Sequence, residues 1–225
     1  DDPWWTPLPF SFPMPEKKIA LITKIEGLKI DPVISEELNR VAKNLENSGW
    51  IIEEPKAPNF QEAANFQATL WLGEFRRTGG EAISKENDPD SNFIYCQMSR
   101  RCPDNSLEKF MDSLQQRARI SREWNKFFDK YPIILCPVTG DIPFPDLKDL
   151  ESEESFDLVF DSMLPLIAPP YMGLPGLSFA TSQTKQNIPL GVQFISRKFR
   201  EDLLLNVAYD LENYYPKIEP VLPRF

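Results

Sequence analysis

Two runs of consecutive apolar residues, Ile19-Ala-Leu-Ile22 and Ile133-Ile-Leu-Cys136, constrain this chain more than any other feature. Successive strand side chains point to opposite sides, so short unbroken apolarity predicts strands buried on both faces. The second run is bounded by Pro132 and Pro137, which makes it the clearest inner strand. A sheet with such strands needs helices to cover it.

Asp31-Pro-Val33 begins a helix well, because the carboxylate can accept an orphan amide and proline at the first helical position loses nothing. Leu38, Val41, Ala42 and Leu45 continue one apolar stripe, and Ser48-Gly49 ends it. Trp50-Ile-Ile52 then reads as a strand, completing a unit with the spacing of a parallel crossover. A second helix is expected over about 59–77, and a third from Ser106 through Phe127 or Phe128. Residues 81–105 are polar and broken by Asp88-Pro and Cys102-Pro, which predicts an irregular excursion with at most a short helical piece. Leu177-Ser-Phe-Ala180 and Leu190–Ile195 read as strands, and Glu201 opens the last helix with acidic residues near its positive end. The 22 prolines gather in clusters, among them Pro132–Pro145 and Pro165–Pro175, that predict rigid coil between elements. The fold expected is α/β, with a mixed, largely parallel sheet flanked by helices. Residues 1–16 form an extended proline-rich lead-in containing Trp4 and Trp5, ahead of a body over 17–225.

Charge and composition exclude several functions. A formal net charge of −9, from 34 acidic and 25 basic residues, repels a phosphate backbone, so no nucleic-acid partner is expected. No apolar run is long enough to span a bilayer, and no membrane partner is expected either. Three irregularly spaced cysteines favour free thiols and a cytoplasmic location. Histidine is absent, which removes Ser-His-Asp and Cys-His catalysis and histidine-ligated zinc together. No cofactor or metal is expected; the spacing of Cys96 and Cys102 matches no close structural-zinc pair.

Gly173-Leu-Pro-Gly-Leu-Ser178, Pro189-Leu-Gly-Val-Gln193 and Glu201-Asp-Leu-Leu204, in that order and spacing, resemble the closing portion of amidase-signature hydrolases. Tyr131–Thr139 resembles the family strand that ends in a Pro-Thr step, here widened by Val138, and Asp2-Pro-Trp-Trp-Thr-Pro7 resembles a stretch that follows the family's catalytic region. The chain departs from the family at Pro170 and Met172, where Asn and Thr are frequent. The resemblance implies the C-terminal half of the α/β/α fold. It also implies chemistry by a serine, a second serine and a lysine, with backbone amides from a Gly/Ser-rich loop. This sequence has no such loop, so no catalytic residue is assigned.

The expectation that follows is a C-terminal portion of a carboxamide hydrolase, inactive alone, whose partner is a missing N-terminal catalytic region of the same protein. A small-molecule amide would be the substrate, and a homodimer is possible. Part of a tRNA-dependent amidotransferase, or a non-catalytic interaction module, are the alternatives. Four residues are candidates for lining the substrate pocket. Thr139 ends the inner strand, where parallel sheets open crevices; Trp71 and Phe75 could offer an aromatic surface; Gln193 lies within the Gly-Val-Gln step and could equally serve backbone groups. Cys136 in an apolar strand reads as a structural thiol, and Asp141, Asp146 and Asp149 read as solvated loop acids.

Overall fold

The computed structural model describes residue 13, residues 15–102 and residues 106–215. The Trp4-Trp5 segment, Pro103 and the prolines after 215 lie outside the described residues.

Five strands build one sheet: β1 (Lys18–Leu21), β2 (Ile51–Glu53), β3 (Ile133–Pro137), β4 (Gly176–Gln183) and β5 (Pro189–Ser196), in the order β2-β1-β3-β5-β4. β1 runs parallel to both β2 and β3, whereas β5 is antiparallel to both β3 and β4. The sheet is therefore mixed in equal measure, which corrects the expectation of a largely parallel one. The cause is the short link between β4 and β5. It closes through Thr184 and Ile188, too short for a crossover, and a hairpin forces antiparallel pairing.

Alternation sorts the strand residues between two cores. Ile19, Leu21, Ile133, Leu135, Val192 and Phe194 point to one face, where α1 (Pro32–Asn47) and α8 (Glu201–Glu212) cover them. Ala20, Ile134, Cys136 and Ile195 point to the other, against α2 (Phe60–Thr78), α5 (Leu107–Phe128) and α7 (Leu164–Met172). The apolar runs are thus buried on both sides, as their composition requires. Asp31 caps α1 by accepting the Val33 amide at 2.7 Å, and Ser106 caps α5 by accepting that of Lys109 at 3.2 Å.

Two stretches are more regular than the sequence suggests. The polar excursion after Gly79 contains α3 (Gly80–Glu86) and α4 (Pro89–Arg101). Asp88-Pro, which reads as a break, is instead a helix start: the Asp88 carboxylate accepts the Ser91 amide at 2.7 Å and Pro89 takes the first turn. The proline cluster after Pro165 is largely helical. α7 follows α6 (Glu153–Ser162) almost directly and contains Pro165, Pro169 and Pro170. Pro165 lies in the first turn, where no amide is needed. Pro169 deprives the Pro165 carbonyl of its helical donor, and Gln193 Nε2 from β5 donates to that oxygen instead, at 3.1 Å. Leu166, whose carbonyl is freed by Pro170, lies on the solvent side of the helix. Gly173, at φ +64°, closes α7, with its own amide bonded to Pro170 and that of Leu174 to Pro169. The chain then enters β4 directly.

Candidate functional site

In an open α/β sheet the usual crevice lies at the C-terminal strand edge where the chain's direction of winding reverses, here between β1 and β3. In this protein that position is filled. The loop leaving β3 and the loop leaving β1 pack together: Asp31 donates its amide to the Gly140 carbonyl at 2.8 Å, and a Cβ on Gly140 would stand 2.5 Å from the Lys29 carbonyl oxygen. Gly140 in turn donates to the Ser162 carbonyl at 2.7 Å, drawing the loop toward the end of α6. One open space lies between the loops that leave β1 and β2, and another lies to the side, over β4 and β5.

There a cavity of about 510 Å³ is bounded by the β3 exit loop (Val138 to Phe144), α6 and the β4–β5 hairpin. Its apolar walls include Ile142, Phe144, Val159, Met163 and Leu190, and its floor includes Ala180 and Gly191, which face one another across the two strands. Three hydroxyls reach it, from Thr139, Ser162 and Ser178. Ser162 is committed to the Val159 carbonyl at 2.6 Å, and Thr139 donates to the Asp141 carbonyl at 2.8 Å, which leaves its oxygen free to accept. Ser178 is exposed on its strand, and its hydroxyl has no hydrogen-bond partner among the described residues. Asp141 is the one ionisable side chain on the lining among the described residues, and its carboxylate accepts the Ile142 amide at 2.9 Å. A mostly apolar cleft with a few convergent polar groups is the form that small-molecule sites take.

The four sequence candidates part company. Thr139 lines this cavity. Gln193 is buried beside it on the α7 side of β5, with Nε2 bonded to the Pro165 carbonyl and 3.6 Å from the Cys136 thiol. Trp71 and Phe75 lie on α2, away from it. Trp71 is 51% exposed and borders a separate open groove with Leu107, Phe110 and Leu114 on α5. Phe75 packs edge-on against Tyr95 of α4, with ring centroids 5.8 Å apart. Ser178, Ala180 and Gly191 are absent from the sequence candidates: alternation places Ser178 and Ala180 on one face of β4, but only the pairing of β4 with β5 adds Gly191 to that face.

Electrostatics fix what surrounds the cavity. Burial pushes the Cys136 thiol up to about 12, against a smaller opposing pull from the Gln193 hydrogen bond, so it stays protonated and is no nucleophile. On the far side of α6, burial raises the Asp157 carboxyl, but hydrogen bonds from Arg101 and Arg100 outweigh it and hold the group below its ordinary range. These contacts, at 2.7 and 2.6 Å, with Arg101 also paired to Asp161, tie α6 to α4. The helix carrying Val159 and Ser162 is thereby braced from behind.

Comparison with known proteins places this arrangement. The chain is 28% identical over 215 residues to an indoleacetamide hydrolase of Bradyrhizobium diazoefficiens, with 94% of this chain and 41% of the relative covered. It is 23% identical over 231 residues to a glutamyl-tRNA(Gln) amidotransferase component of Gloeothece citriformis, covering 92% and 47%. Its fold matches a 6-aminohexanoate cyclic dimer hydrolase with a TM-score of 0.70 at 16% identity, covering 88% of this chain and 45% of that one. The chain thus spans less than half the length of each. No helix among the described residues is long and apolar enough to cross a membrane.

The sequence family described as Amidase matches residues 13–205. That extent corrects the expectation of a C-terminal portion only, in fold as in function, because the family's features run through nearly all of the described chain. That extent also counts against the missing N-terminal catalytic region expected as a partner, and it corrects the expectation, drawn from the absent Gly/Ser-rich loop, of a chain inactive alone. With 13–205 matched and the sheet and both helical layers falling within the same fold, the chain belongs to the amidase family.

Proposed function

We propose that this protein acts on carboxamides, binding the amide group in the cavity over β4 and β5 and converting it with water to a carboxylate and ammonium. The observation that carries this reading is the pair of available hydroxyl oxygens, Thr139 and Ser178, on the lining of a mostly apolar cleft of an amidase-family chain. A carboxamide offers two donors and one acceptor, and two hydroxyls answer both kinds of need. Gln193 acts as a positioning residue, holding α7 to β5 beside the cleft. Free thiols at Cys96, Cys102 and Cys136 support a cytoplasmic setting.

A second reading is favoured by the relative of the amidotransferase type: the amide nitrogen would be passed on within a tRNA-dependent complex. The net charge of −9 gives that reading no electrostatic help. Ammonia release by the full chain, measured over a panel of aliphatic, aryl and amino-acid carboxamides, tests the hydrolytic reading. Release from at least one amide, with KM raised in Ser178→Ala, is the expected result. Neither release nor binding with any amide of the panel would overturn it.

A further inference from the structure

We propose that the cavity over β4 and β5 selects neutral amides with a flat, apolar acyl group and rejects those carrying a carboxylate or phosphate near the amide. This rests on the amide-processing reading and narrows it.

Three observations carry the inference. The first is the absence of counter-charge. Among the described residues, no lysine or arginine contributes to the lining, and the one ionisable group there is the acid Asp141. An anionic substituent would surrender its hydration to a space walled by Ile142, Phe144, Val159, Met163 and Leu190, with no cation to replace the lost water and a carboxylate nearby. A neutral ring surrenders little and gains contact with those walls.

The second is the shape of the floor. Ala180 and Gly191 are registered opposite one another on β4 and β5, so nothing larger than a methyl rises from the sheet there. Gly191 is fixed by close approach of the backbone: a Cβ on it would stand 2.9 Å from the Phe179 carbonyl oxygen. Ala180 is exposed on an edge strand and meets no such limit, so its size sets the depth of the cleft. A shelf of this kind suits the face of a planar group.

The third is the placement of the polar atoms. Thr139 lies in the loop that leaves β3, and Ser178 lies on β4 two residues before Ala180 and on the same face, so hydroxyls lie beside the shelf. An amide held by them directs its acyl group over Ala180.

Calorimetric titration of the full chain with phenylacetamide, phenylacetate and L-glutamine, run beside the ammonia assay, tests the inference. Phenylacetamide is expected to bind, phenylacetate about tenfold or more weakly, and glutamine similarly weakly. Ala180→Leu, which fills the shelf from an exposed position, is expected to weaken phenylacetamide by about tenfold while leaving the melting temperature of the protein unchanged. Phenylacetate or glutamine binding as tightly as phenylacetamide would overturn the inference, as would unchanged phenylacetamide affinity in Ala180→Leu. Ammonia release from glutamine without binding of phenylacetamide would sink the selectivity and leave the amide-processing reading standing. Silence toward every amide in both assays would remove that reading itself.

Discussion

The two halves of the sheet bury their residues very differently. In the parallel half, β3 is buried at every position and β1 at three of four, with helices packed on both faces. In the antiparallel half, β4 alternates between exposed and partly buried residues along most of its length. Leu177 and Phe179 pack on the α1–α8 core, while Gly176, Ser178 and Ala180 stand exposed on the other face. The difference shows how one sheet divides its labour: the strands covered twice, β5 among them, supply cohesion, and β4, covered once, leaves a face for a ligand. The Gly140 contacts link the halves, since they close the gap between β1 and β3 and turn the loop toward β4.

The largest effect that would sharpen this contrast is expected from paired truncations. Leu135→Ala, at a fully buried position of β3, should cost about 2–5 kcal/mol in urea-induced unfolding. Leu177→Ala on β4 should cost less than half as much, and equal costs would break the comparison. Gly140→Ala drives a methyl into the Lys29 carbonyl oxygen, where backbone must move. It should lower stability by about 1–3 kcal/mol and weaken phenylacetamide binding as well, because it disturbs the loop that walls the cavity.

Gln193→Leu keeps the bulk at β5 but leaves the Pro165 carbonyl without the donor that its helix lacks, a loss of about 1–3 kcal/mol. Amide hydrogen exchange should accelerate in α7 and remain unchanged in α1, across the sheet. Exchange that rises equally in both helices would show that the bond is not specific to the cavity side.

Near pH 8 the smallest effect is that of the Cys136 thiol, which grows only in alkaline solution. The buried Cys136 thiol is pushed up from 9.0 to about 12, so between those values the unfolded chain releases a proton that the native protein retains. The native state then binds more protons, and stability falls as pH rises, by up to about 1.4 kcal/mol per pH unit from this group. The difference in stability between the parent and Cys136→Ala, followed from pH 8 upward, should therefore shift in favour of the variant. A difference that stays flat would place the thiol in contact with solvent.

Much of the fold is legible in the sequence because its signals are local. The doubly buried strands, the Asp31-Pro32 helix start and the Ser106 cap each depend on a few neighbouring residues, and each stands where the sequence puts it. The unexpected helical stretches in 81–105 and 165–175 have local signals too. Asp88-Pro89 is a cap as much as a break, and Leu164, Ala168, Tyr171 and Met172 are spaced for one buried helical face. What hides them is proline, whose penalty inside α7 is offset by a side chain from a distant strand. The site is less legible still. Thr139 is a candidate because the end of an inner strand has meaning by itself, whereas Ala180 and Gly191 acquire theirs only when β4 and β5 pair.

The sequence by itself determined a layered α/β domain, a core with two sides, a chemistry without histidine and a kinship to amidases, since composition, periodicity and motif order are properties of the chain. Tertiary structure alone decided that the sheet is half antiparallel, that the gap between β1 and β3 is closed, and that the cavity lies over β4 and β5. Those outcomes depend on which distant groups come within hydrogen-bonding or van der Waals reach, and a linear order of residues does not contain that distance.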